Sequence, residues 1–211
     1  MTGFHSRKST HLRGLRKPSK TVVCEGRVMS IPENTSGLLS EKEAERYFQR
    51  QEMLLEFSRL FDYNVASDRA VAIVGPAFLD TLLSDILTEF MVDDVREVNE
   101  LLKTDGALGS WGNRVRVCYC LGLIDKIVTA DLKLVGKIRN RFAHDIRADF
   151  SAPEISRWCH KLQWHKVAMM HDPPSDATDR DLFQVGVNQL AAHLSGIPGI
   201  ARSRKCFARP Y

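Results

Sequence analysis

The densest chemistry in this 211-residue chain lies in one run: Lys137-Ile138-Arg139-Asn140-Arg141-Phe142-Ala143-His144. An arginine can stabilise negative charge on a phosphoryl group, and a histidine can exchange protons near neutral pH. Spacing restricts what these residues can do together. Asn140 and His144 are four apart and share a helical face. Arg139 and His144 are five apart, which is about 140° on a regular helix. They reach one ligand only if the helix unwinds or a second subunit supplies its own copy. A structural role competes and is favoured on the bare residues. A histidine near a helix C-terminus interacts well with the dipole, Asn140 can orient it, and Phe142 can pack the turn.

Other catalytic signatures are missing. Gly106, Gly109 and Gly112 lack the preceding strand and following Lys-Ser/Thr of a phosphate loop. There is no Gly-x-Ser-x-Gly elbow and no His-Glu-x-x-His. The five cysteines, at 24, 118, 120, 159 and 206, are odd in number and scattered, which is not a disulfide framework. Cys159 and His160 are adjacent but lack convergent partners for a metal. No metal and no cofactor are expected. Reduced thiols and the lack of an apolar leader point to a cytoplasmic protein. No apolar run reaches the roughly 18 residues of a membrane span.

The elements that carry these residues read as helices. Ser40-Glu41-Lys42-Glu43 is a capping box opening a helix that ends near Asp62. A second helix runs from Ser67 or Asp68 to about Met91, apolar around much of its circumference and therefore central to a bundle. Pro76 lies inside it and predicts a kink or break. Asp93 or Asp94 caps a short third helix, Ser110 a fourth, and Thr129 the one ending at His144. Ser151-Ala152-Pro153-Glu154 is a second capping box. A last helix spans about 178–194. The fold class is all-α, a bundle of six or seven helices over 38–195. Mobile basic tails are expected at 1–37 and 196–211.

Charge follows that division. The net +4 separates into +6 over residues 1–27, −6 over 28–201 and +4 over 202–209. An acidic body argues against a domain that grips nucleic-acid phosphates, which requires Lys and Arg on the docking face. Weak nucleic-acid contact is expected only from the tails or from Lys137, Arg139 and Arg141. The apolar second helix also motivates a homodimer.

Three segments resemble the mannitol operon repressor family of bacterial regulators. They are residues 77–83 (Ala-Phe-Leu-Asp-Thr-Leu-Leu), residues 106–114 with 119–124, and residues 138–144 (Ile-Arg-Asn-Arg-Phe-Ala-His). The family pattern is "FLD-x-x-L", "G-x-L-G-S-F-x-x-R-x-x-x-x-Y-x-L-G-L-I" and "I-R-N-x-F-A-H". The chain departs from it with Trp111 for Phe, Gly112 for a more helix-friendly residue, and Pro76 before the first motif. The resemblance spans about 66–163. It implies an all-α transcriptional regulator acting through protein contacts rather than a helix-turn-helix. In that reading Lys137, Arg139, Arg141 and His144 are binding residues.

The last motif also resembles HEPN domains, whose active members carry Arg-polar-x-x-x-His at a helix end. That resemblance implies the alternative function, a metal-independent ribonuclease acting as a toxin or defence effector. Arg139, Asn140 and His144 would then be catalytic. A third reading is a regulator whose tails alone touch DNA.

Overall fold

The computed structural model describes residues 21–24, 27–30, 41–61, 67–170 and 172–210. The chain divides into two compact units, residues 1–49 and 50–211. In the first, β1 (Thr21–Cys24) and β2 (Arg27–Ser30) pair antiparallel, with Val22 opposite Met29 and Val23 opposite Val28. The β-branched residues suit strands, although the strands fall within the segment expected to be a tail. α1 (Glu41–Leu60) begins in this unit and continues into the second from Arg50. Ser40, its expected cap, lies outside the described residues.

The second unit is helical, as expected. α2 (Asp68–Phe90), α3 (Val95–Leu102), α4 (Trp111–Cys120), α5 (Lys126–His144), α6 (Pro153–Cys159), α7 (Trp164–Met169) and α8 (Asp179–Ser203) follow in order. α2 packs along α8 and against α4 and α5. Its Val71, Leu79, Leu82, Leu83, Ile86 and Leu87 are buried. By length and composition α2 could cross a membrane, but its apolar surface serves as the centre of this core.

Most helix starts obey local chemistry. Ser67 accepts from the Ala70 N–H, Asp94 from Glu97 and Ser110 from Asn113. Thr178 and Asp181 form a reciprocal capping box. Four details differ from the sequence reading. α2 runs without a break through Pro76, because burial against α8 and the core outweighs one lost helical hydrogen bond. α5 is capped by Asp125, not Thr129: the carboxylate accepts from Val128 N–H at 2.9 Å and starts the helix four residues earlier. Ser151 donates to Asp149 instead of capping, and α6 begins on Pro153 without a side-chain cap. α8 continues past 195 through Pro198 to Ser203, with Ile197 and Ala201 buried.

The basic C-terminal segment folds onto acidic groups. Arg202 reaches Glu89 at 3.5 Å and Lys205 reaches Asp93 at 2.6 Å. The Cys206 N–H donates to the Phe90 carbonyl at 2.7 Å, and Arg204 donates to the Gly122 carbonyl.

Candidate functional site

α5 stays regular to His144, and an arginine from another helix anchors its end. Arg69 of α2 donates to the carbonyls of Phe142 and, at 2.9 Å, Asp145. These are among the carbonyls a helix end leaves unsatisfied. Phe142 beneath them is fully buried and packs on Phe150. The Ile138/Phe142 side of the motif therefore belongs to the core, while its polar side is left to solvent.

That polar side forms an open groove of about 350 Å³. Lys137, Asn140, Arg141 and His144 of α5 line one wall, and Glu154 and Trp158 of α6 line the other. The α5 residues fall at helical spacings of three and four, so one stripe holds them all. Lys137 Nζ lies 6.0 Å from the centre of the Trp158 ring, at cation–π range. Arg141 bridges Asp145 at 3.3 Å. The groove thus mixes two cations with carboxylates and one aromatic face.

Arg139 is not part of it. It is half-buried on another side of α5 and does not line the groove. Of the sequence-selected residues, Lys137, Asn140, Arg141 and His144 come together and Arg139 stands apart. The regular helix leaves Arg139 and His144 the expected 140° or so apart. Sequence reasoning missed Trp158 and Glu154. Their four-residue spacing was legible, but their placement opposite α5 depends on the 145–152 connection.

The second motif performs a structural task. Arg114 donates from Nη1 to Asp80 Oδ2 at 2.7 Å, from Nη2 to the Leu102 carbonyl at 2.7 Å and from Nε to the Leu108 carbonyl at 2.8 Å. One guanidinium thereby joins α4, α2, the end of α3 and the 103–110 connection. Within that connection a Cβ on Gly109 would fall 2.3 Å from the Lys103 and Thr104 carbonyl oxygens, so no larger residue fits. Trp111 donates from Nε1 to the Leu132 carbonyl at 3.1 Å and lies across Gly136 of α5.

A buried carboxylate anchors α7. Asp131, fully inaccessible, accepts from the Gln163 N–H and from the Trp164 N–H at 2.7 Å. Burial pushes its pKa up, and the Trp164 and Gln163 N–H groups oppose that shift. The thiols of Cys118 and Cys159 are pushed up to about 12 by burial, so neither is a nucleophile. Among the described residues no three His, Cys, Asp or Glu side chains are placed to hold a metal ion.

All three motif segments lie within the helical unit of residues 50–211. The mannitol repressor (MtlR) family profile matches residues 70–193, more than half the chain, and the chain belongs to that family. The X-ray structure of the MtlR–HPr complex from Escherichia coli includes a chain of similar fold. Its TM-score is 0.52 at 24% identity, over 70% of this chain and 99% of that one. No curated protein sequence matches the chain.

Proposed function

We propose that this protein regulates transcription by docking another protein, through the groove between α5 and α6, rather than by gripping DNA. Membership of the mannitol repressor family carries the reading. The Escherichia coli relative was solved with HPr, which makes an HPr-like protein the first partner to test. The net −6 over residues 28–201 disfavours phosphate contacts by the body. Trp158, Arg141 and Lys137 supply an aromatic surface and cations, and Trp and Arg are side chains that anchor protein interfaces. Ile146, 88% exposed just past the end of α5, adds apolar surface beside the motif. Among the described residues Cys118, Cys120, Cys159 and Cys206 are free thiols, which suits a cytoplasmic setting.

The test is a calorimetric titration of the full chain with HPr of the same organism. Saturable binding supports the reading, and no binding contradicts it. A parallel incubation with mixed RNA, without metal, tests the ribonuclease alternative. RNA cleavage that disappears in both Arg139→Ala and His144→Ala would replace the docking reading. The homodimer loses its original motivation, because the chain's own α4, α5 and α8 pack against α2.

A further inference from the structure

His165 of α7 is 1% exposed, and neither ring nitrogen has a hydrogen-bond partner. A buried donor or acceptor left without a hydrogen bond destabilises the fold. Such a group in a native fold needs an explanation, and a bound ligand or an ordered water is one. His165 is among the residues lining a cleft of about 370 Å³ between the α6–α7 segment and residues 172–177. That volume falls in the range of small-molecule sites.

The other walls narrow the chemistry. Burial, followed by the neighbouring Lys166 charge, holds the His165 imidazole below its usual pKa, with Asp172 opposing. At neutral pH the ring is therefore uncharged and offers one donor and one acceptor. A hydroxyl complements either nitrogen. Ser175 adds a hydroxyl, Leu182 an apolar surface, and Cys159 a neutral thiol. Lys166 provides the positive charge and meets Asp172 at 3.5 Å, where the carboxylate is largely exposed. The remaining imidazole of the wall, His160, is already engaged with Asp179 at 3.0 Å. An incoming anion can take the place of the exposed Asp172 carboxylate on Lys166.

We propose that this cleft binds a small hydroxylated anion, of the polyol-phosphate or hydroxy-acid class. The anionic group rests on Lys166 and a hydroxyl satisfies His165. The site shares no lining residue with the α5–α6 groove, so a small-molecule signal and a docked protein can be held at once. This inference does not depend on the docking reading, and either can fail alone.

Glycerol 3-phosphate, inorganic phosphate and glycerol are the probes. Trp164 adjoins His165, and its ring centre lies 4.2 Å from that of His193 at a tilt of 44°, so its fluorescence is sensitive to changes beside the cleft. The His165 ring resonances report directly. Glycerol 3-phosphate is expected to shift both signals saturably at millimolar concentration or below, about tenfold more tightly than phosphate or glycerol alone. Lys166→Ala is expected to weaken binding about tenfold with the fold unchanged, because Lys166 is an exposed rim residue. His165→Gln, which keeps a donor and an acceptor, is expected to retain part of the affinity. Phosphate binding as tightly as glycerol 3-phosphate would overturn the hydroxyl assignment. No saturable shift with any probe up to about 10 mM, well above the millimolar affinity at stake, would overturn the site.

Discussion

Asp80 of α2 and Arg114 of α4 meet at 2.7 Å, and the same guanidinium holds the Leu102 and Leu108 carbonyls. Both residues lie in segments that resemble the mannitol repressor pattern. Their first role is to fix the fold around the site. Removing Arg114 leaves a part-buried carboxylate and two carbonyls without their partner. Arg114→Ala is expected to cost about 3 kcal/mol, reduced from the fully buried case by the partial exposure of Asp80. Denaturant unfolding of Arg114→Ala, Asp80→Ala and the double variant measures it. The double variant should lose less than the sum of the singles; strict additivity would contradict the clamp.

Trp111 and Gly136 form a second coupled pair. A Cβ at 136 would lie 2.6 Å from Trp111 Nε1. Gly136→Ala is expected to cost about 1–3 kcal/mol by overpacking. In a Trp111→Phe background, where the smaller ring leaves room, the same substitution should cost clearly less. Thermal unfolding of the four proteins decides it, and equal costs in both backgrounds would exclude the contact as the cause.

Acid should weaken the α7–α8 region. Burial lowers the pKa of both His165 and His193 from 6.5. A histidine with a depressed folded pKa contributes its full stability above its unfolded value. That stability is lost as pH falls from about 6.5 through the folded value. Asp131 acts in the opposite sense. Its raised pKa favours the native state below 3.8, an advantage lost as pH rises through the folded value. Unfolding free energy is therefore expected to fall as pH drops below 6.5. The slope should be shallower in His165→Gln; an unchanged slope would remove His165 as a source.

The basic C-terminus is expected to act as a clasp. Deleting residues 202–211 removes the Arg202–Glu89 and Lys205–Asp93 pairs and the Cys206–Phe90 backbone bond. Allowing roughly 2 kcal/mol for these contacts, Tm should fall by about 4–8 °C. Calorimetry of the truncated chain measures the change. A Tm within one degree of the full chain would mean that the segment carries no stability.

Much of this was legible in the sequence. The Ser67, Asp94 and Ser110 caps and the apolar spacing of 71–90 placed α2, α3 and α4, because these signals are local. Asp125 was missed because Thr129 offered an equally good cap in isolation, and α5's own hydrogen bonds decided between them. The end of α8 was missed because Gly196, Pro198 and Gly199 read as breakers, whereas Ile197 and Ala201 gain core contacts that hold the helix. The cluster at 137–144 was visible as a cationic helix end, and its spacing already set Arg139 apart from His144. Trp158 and His165 carried no signal, since a groove and a buried ring arise only from packing.

Amide hydrogen exchange of the full chain with and without HPr tests whether a partner docks on the α5–α6 groove. Docking there should protect residues between 137 and 158, with the protection lost in Trp158→Ala and reduced in Arg141→Ala. Complex formation that protects other segments and leaves 137–158 unchanged would contradict it.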